Sequence, residues 1–148
     1  MSNGPLPSTL CLLYALPTRP QGDKVRFLGC VVSYSAASGI LTLRHPDSPG
    51  GDNVSAHVDV ELVLSRLAPE HTRRGQWVNV IGYVTLVPAL SGSTKFSISS
   101  EEGQVVHVQA LLLWSAGPLD IQQYTRTVEV LSYERPAETR GIHPDPTK

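Results

Sequence analysis

Five stretches of the chain show the apolar and polar pattern that is typical of β-strands. The longest runs from Lys24 to Ser35 and is apolar on both faces, as expected for a strand in a closed or sandwiched sheet. Gly29 lies in its middle and predicts a bulge or a bend of the kind that a small barrel needs. The predicted strands cover residues 24–35, 40–45, 54–58, 75–87 and 105–114.

Two further segments have helical spacing. Asp59 is a predicted cap for a short amphipathic helix over residues 60–67, which Ala68-Pro69 would end because proline cannot continue the backbone ladder. The segment 118–134 begins with a proline and an acid near its first turn, and its apolar residues recur at helical spacing, so it predicts the longest helix.

Three strands, a helix, two strands and a terminal helix are the element order of the OB fold. We therefore predict an all-β chain: a five-stranded OB-fold barrel with a short helix between strands 3 and 4 and a C-terminal helix. An immunoglobulin-like sandwich would need about seven strands and no helix at that point. The proline-rich ends predict a flexible segment over residues 1–7, an OB-fold domain over 8–134 and a disordered tail over 135–148.

Composition narrows the class of protein. The chain has 148 residues, 41% of them hydrophobic, which is enough for the core of one domain. A net charge of −1 is unlike that of a self-sufficient nucleic-acid binder. Two cysteines are too few for a disulfide framework and favour a reducing compartment. The sequence shows no membrane span and no secretory signal, so we expect a soluble chain with no membrane partner.

No motif for catalysis is present in the sequence. The five histidines and two cysteines lack the local spacings that hold metals, and phosphate-binding loops and nucleophile elbows are missing. We expect no catalytic residue, no metal, no cofactor and no enzymatic activity. His107, within a predicted strand, is interpreted as a half-buried histidine without a role.

A few residues could contact single-stranded nucleic acid. The candidates combine basic groups with aromatic rings on which bases could stack; they are Tyr34, Arg73, Arg74, Lys95 and Phe96. Scattered charges are usually only a solvated surface, and the other aromatic residues of the strands, Trp77 and Trp114 among them, are expected in the core. The pattern favours at most auxiliary strand binding.

The terminal helix has two apolar sides. One stripe contains Ile121, Tyr124, Val128 and Leu131, and a second set contains Leu119, Val130 and Tyr133. One stripe is sufficient to dock a helix on its own barrel. The second set predicts an interaction surface, unless its members are tolerated surface residues. The sequence leaves open which stripe faces outward.

Several runs, taken in order, resemble a known family. They are Gly4-Pro-Leu-Pro, Val25-Arg-Phe-Leu-Gly-Cys, Gly39-Ile-Leu-Thr-Leu, Val58-Asp-Val-Glu-Leu-Val-Leu, Gly75-Gln-Trp-Val-Asn-Val-Ile-Gly-Tyr, Val108-Gln-Ala-Leu and Leu131-Ser-Tyr-Glu-Arg135. Together they are similar to the Ten-one family, the smallest OB-fold subunit of the CST telomere-capping complex, in a fungal-type form. The loops 46–53 and 88–104 have no counterpart in it.

The resemblance implies a non-enzymatic nuclear protein at telomeres. It would pair with the Stn-one OB-fold subunit, join a large DNA-binding subunit on telomeric single-stranded DNA, and assist fill-in by polymerase alpha-primase. Its partner-binding residues would be Ile121, Tyr124, Val128, Leu131, Tyr133 and Arg135. The alternatives are an independent single-strand binder and the small subunit of a replication-protein-A-like complex.

Overall fold

The computed structural model describes residues 7–46, 53–87 and 103–141, with side chains as far as residue 132. Its strands are β1 (Thr9–Leu10), β2 (Lys24–Ser35), β3 (Ile40–Arg44), β4 (Val54–Asp59), β5 (Trp77–Leu86) and β6 (Gln104–Ser115). Its helices are α1 (Pro69–Thr72) and α2 (Ile121–Gly141), with two 3-10 helices, an N-terminal one (Leu13–Thr18) and an inter-strand one (Glu61–Arg66).

Strands β2 to β6 close into a barrel. The sheet order is β1-β2-β3-β4-β6-β5, and β5 also pairs with β2, which joins the two ends. The pairing of β4 with β6 is parallel, whereas β2–β3, β3–β4, β2–β5 and β5–β6 are antiparallel. The predicted five-stranded OB-fold barrel is therefore confirmed, with β1 added in parallel beside β2.

The hydrophobic core lies inside the barrel and consists of inward-facing apolar residues from every barrel strand. Its largest members include Phe27 of β2, Leu41 and Leu43 of β3, and Leu13 and Leu16 of the N-terminal 3-10 helix. Leu28, on the opposite face of β2 from Phe27, is only 1% exposed. Both faces of this strand are thus apolar and buried there, as the sequence predicts.

Two glycines sit where the barrel bends. β2 pairs with β5 from Lys24 to Cys30 and with β3 from Cys30 onward, so Gly29 lies next to the change of partner. A Cβ atom at Gly29 would lie 2.8 Å from the Cβ of Leu43. In β5, Gly82 lies at a register shift in the ladder to β6, where a Cβ would collide with the backbone carbonyl of Gln109. Both are positions that only glycine fills without displacement.

The predicted helix over residues 60–67 is the inter-strand 3-10 helix. The carboxylate of Asp59 accepts a hydrogen bond of 2.9 Å from the backbone N–H of Glu61, which is the predicted capping role. Pro69 ends this helix and also begins α1, because proline lacks only an N–H that a first helical turn leaves unused. The sequence does not predict α1, which is a single turn.

The N-terminal elements are also not predicted from the sequence. β1 has two residues and the following helix six, too short for a periodic signal. A ring contact holds this region: His45, 3% exposed, lies with its ring centroid 5.4 Å from that of Tyr14 and 5.2 Å from that of Trp77. Trp77 is half-buried beside His45 and lies outside the core cluster, so the prediction that it packs in the core is wrong.

Residues from Pro118 onward form a second compact unit, separate from Met1–Gly117. Its helix α2 continues to Gly141, beyond the predicted end at residue 134, so the first part of the predicted disordered tail is helical. Ala137, Glu138 and Arg140 are good helix formers, and a proline within a helix removes only one hydrogen bond while it kinks the axis. The rest of the predicted tail, residues 142–148, and the predicted segment 1–6 lie outside the described residues.

Candidate functional site

The start of α2 is set by Asp120. Its side-chain Oδ1 accepts a hydrogen bond of 3.1 Å from the N–H of Gln123, and its carbonyl accepts one of 3.0 Å from the N–H of Tyr124. An aspartate at this position satisfies a free backbone donor and faces the positive end of the helix dipole. Asp120 therefore fixes where the helix begins and, with it, the angular positions of the apolar residues.

Apolar side chains of this unit remain exposed. Val130 is 55% exposed, Leu131 42% and Leu119 38%, whereas Val128 is buried. Ile121 and Tyr124 are half-buried. Tyr133 and Arg135 lie on the helical backbone, but their side chains are outside the described part of the chain. Neighbouring exposed aliphatic residues such as Val130 and Leu131 are typical of an interaction surface.

Among the nucleic-acid candidates, only Arg73 and Arg74 lie together in the described residues. Both are exposed, in the turn between α1 and β5. The turn is fixed beside β2 because the N–H of Gly75 donates to the carbonyl of Val31, and the N–H of Val31 donates to the carbonyl of Gln76. Gly75 has a φ of 90°, a conformation that favours glycine.

Tyr34 does not join the arginine pair. Its half-buried ring packs against the core, and it lies three residues along β2 from Val31, a separation of about 10 Å. Lys95 and Phe96 fall outside the described residues. The stacking role of Tyr34 stays a prediction, and the structure does not bring Tyr34 together with Arg73 and Arg74.

OB-fold proteins commonly bind strands on the outer face of the second and third barrel strands, here β3 and β4. The outward positions of this face in the described residues are Ile40, Thr42, Arg44, Ser55, His57 and Asp59. None of them is Phe, Tyr or Trp, the side chains on which bases stack best. The face is thus polar and short of stacking groups.

A cation–π contact joins β2 to β6. The guanidinium carbon of Arg26 lies 5.4 Å from the ring centroid of Trp114, which is half-buried. The prediction that Trp114 packs in the core is therefore wrong, because this ring lies outside the core cluster and against Arg26. No local pattern could show this contact, because 88 positions separate the two residues.

A second pair that the sequence misses is His57 and His107. The two residues are directly in register on the parallel strands β4 and β6, and their ring centroids lie 5.3 Å apart at an interplanar angle of 83°. Burial, and then the charge of His107, lower the pKa of His57 from its ordinary 6.5. His57 is consequently neutral at pH 7.

The pairing makes a prediction about pH. We expect His107→Gln to raise the pKa of His57, because the repulsion between two imidazolium groups is removed, yet to leave it below 6.5, because burial remains. NMR titration of the His57 ring protons would measure this. A pKa unchanged by the substitution would show that the two rings do not interact electrostatically.

The same pKa has a consequence for stability. The unfolded chain binds the proton of His57 more readily than the folded chain, so this contribution to stability is complete above pH 6.5 and is lost as the pH falls through the folded pKa. We expect urea midpoints measured between pH 7 and 5 to fall less for His57→Gln than for the wild type. An equal fall in the two proteins would contradict this assignment.

The sequence matches the model of the Ten1 family, described as telomere capping, CST complex subunit, over residues 1–129. The chain belongs to the Ten1 family. This is the Ten-one family that the sequence resembles, and the resemblance is confirmed. A sequence search of curated proteins found no match.

Solved structures agree with this membership of the Ten1 family. A chain of the S. pombe Stn1–Ten1 complex is 26% identical with a TM-score of 0.62, and the match covers 88% of this chain and 96% of that one. The telomere capping protein Ten1 from S. pombe is 26% identical with a TM-score of 0.60, covering 86% and 99%. U. maydis replication protein A bound to single-stranded DNA shares the fold alone, at 16% identity and a TM-score of 0.51, covering 86% and 91%.

Two further observations concern the described residues of this Ten1 family member. None of their helices is long and apolar enough to cross a membrane. They contain no group of three or more histidine, cysteine or acidic side chains placed to hold a metal ion.

Proposed function

We propose that this chain is the smallest subunit of a nuclear CST complex and pairs with the OB-fold subunit Stn1. Within the complex, a large DNA-binding subunit holds the telomeric single strand. The assembly protects the overhang and assists polymerase alpha-primase in filling in the complementary strand. The chain's own part is to complete the assembly by protein contacts.

The observation that carries the proposal is the family membership together with the similarity to a chain of the Stn1–Ten1 complex. The structural match covers 88% of this chain and 96% of that one, and the family match over residues 1–129 includes the barrel strands and the first part of α2. An interaction that involves the terminal helix is consistent with this coverage.

Helix α2 supplies the physical support. Val130 and Leu131 are exposed aliphatic side chains on adjacent positions, and Tyr124 is seven residues before Leu131, which places it on the same side of the helix. Aromatic and aliphatic anchors of this kind contribute most of the free energy of protein interfaces. We therefore assign the contact with Stn1 to Ile121, Tyr124, Leu131, Tyr133 and Arg135, together with Val130. Val128, which the resemblance also implies, is buried and is left out.

Mixing the purified chain with Stn1 tests the proposal directly. We expect a one-to-one species by size-exclusion chromatography with multi-angle light scattering. Co-purification from cells separates the telomeric complex from a replication-protein-A-like one, because their middle subunits differ. The proposal would be refuted if the chain formed no complex with Stn1 in chromatography. It would also be refuted if the chain co-purified with the middle subunit of replication protein A.

Independent binding of single strands is the alternative function. Its support is local: Arg73 and Arg74 are adjacent and exposed, although residues 1–117 carry eight Lys and Arg against eight Asp and Glu. Against it, the outer face of β3 and β4 lacks stacking aromatics among its described residues.

A salt titration distinguishes the two functions. We expect the lone chain to show no saturable binding of a single-stranded telomeric oligonucleotide by fluorescence anisotropy at physiological salt. If the alternative holds, affinity falls steeply with salt, and Arg73→Ala with Arg74→Ala lowers the log–log slope by about 0.7 for each phosphate that the side chains no longer neutralise. Gln122→Ala, which removes no charge, serves as the unchanged control.

A further inference from the structure

The outer surface of the barrel holds an unexplained pair of imidazoles. His57 and His107 are in register on β4 and β6, and their side chains are half-exposed. Neighbouring strands are about 4.8 Å apart, so the two rings leave the sheet side by side. Neither residue is required by the core or by the contact with Stn1.

The spacing of the rings suits a shared metal ion. Two imidazole nitrogens bound to Zn²⁺ at about 2.0–2.1 Å with a tetrahedral angle place the ring centroids about 5 Å apart. The observed centroid distance is 5.3 Å, with the rings nearly perpendicular. The two rings therefore lie at the separation that a shared ion requires.

Two other described side chains that can bind metals are already engaged in hydrogen bonds. The Nδ1 atom of His71 accepts a hydrogen bond of 3.0 Å from the N–H of Ala68, and the carboxylate of Asp59 accepts one from the N–H of Glu61.

The two cysteines are not suited to compete with the histidines for zinc at neutral pH. Burial raises the pKa of the Cys11 thiol to about 11, and burial also raises the pKa of Cys30. Both remain protonated thiols at neutral pH, whereas the thiolate is the form that binds zinc. Cys30 is paired with β3 and β5 and lies in a different part of the barrel from β4 and β6.

We propose that His57 and His107 form a two-imidazole binding site for Zn²⁺ on the outer face of β4 and β6. Water completes the coordination, since the described residues offer no third protein ligand at this place. The ion links the two parallel strands that close the barrel. The spacing of residues along the sequence excludes only metal sites whose ligands are close together in the chain. His57 and His107 are fifty positions apart, so that test does not apply to them.

Calorimetric titration of the full chain with zinc chloride tests the site. We expect one binding event in the wild type, an affinity at least about tenfold lower in His57→Gln and in His107→Gln, and no comparable event with magnesium chloride, because Mg²⁺ prefers oxygen ligands. His143→Gln, a histidine outside the described residues, should bind zinc as the wild type does.

Thermal unfolding gives a second measurement. Zinc should raise the Tm of the wild type and of His143→Gln, but not that of His57→Gln, because only binding to the folded state stabilises it. Unchanged zinc affinity in His57→Gln would overturn the proposal, as would loss of binding in Cys30→Ser or His143→Gln. Circular dichroism without metal verifies that the variants are folded.

Discussion

Leu131→Glu is expected to weaken the complex with Stn1 by a factor of about 30 or more, while the chain stays folded. Leu131 is 42% exposed, so a charge there is tolerated by the free chain. In an apolar interface the same carboxylate would be buried without a partner. Loss of an anchor residue typically costs about 2 kcal/mol or more, and about 1.4 kcal/mol is a factor of ten. Calorimetry with purified Stn1 would measure the change.

Gln122→Glu is the matched control. Gln122 is exposed and, nine residues before Leu131, lies on the opposite side of the helix. Gln122→Glu adds the same charge on the side away from Tyr124 and Leu131, so its affinity for Stn1 should fall much less than that of Leu131→Glu. Tyr124→Arg, on the same side as Leu131, should also disrupt the complex. Equal affinities for Leu131→Glu and Gln122→Glu would show that this side of α2 does not meet Stn1.

Gly82→Ala is expected to lower the free energy of unfolding by about 3 kcal/mol, at the upper end of the cost of overpacking. The new Cβ would collide with the carbonyl of Gln109, which belongs to the β6 backbone. A backbone group held in a ladder cannot rotate away as a side chain can, so β5 and β6 would have to separate. For a chain of this length the Tm should fall by roughly 10 °C.

The control for this substitution is Gly75→Ala. Gly75 also requires its special backbone, with a φ of 90°, but a Cβ there meets nothing within 4 Å. Its cost is the strain of a left-handed alanine alone, about 1 kcal/mol. Urea denaturation of both variants compares a steric collision with backbone strain. A smaller loss in Gly82→Ala than in Gly75→Ala would mean that β6 shifts freely at Gln109.

Strand positions could be predicted from sequence where the signal is periodic. The predicted strand from Lys24 to Ser35 has the bounds of β2, because apolar residues fill both of its faces and turn residues follow it. Gly29, predicted to mark a bulge or a bend, lies where β2 changes its partner from β5 to β3. By contrast, β1 and α1 are too short for a periodic pattern to repeat, and only their tertiary contacts with the barrel define them.

The candidate site was less accessible to sequence reasoning. The angular positions of Tyr124 and Leu131 follow from helix geometry, but exposure does not, and Val128 of the same predicted stripe is buried. The pairs His57–His107 and Arg26–Trp114 depend on which strands are neighbours. Strand order is a property of the closed barrel, and a single sequence carries no direct record of it.

The parallel ladder between β4 and β6 also governs how the chain reaches its native state. Residues that pair there are fifty positions apart. Closing the barrel therefore costs the conformational entropy of a long loop before stabilising contacts form between the two strands. We expect refolding on the millisecond-to-second scale that non-local β topologies show. During synthesis, the barrel can close only after β6 has left the ribosome, and until then β4 and β5 expose edges that invite aggregation.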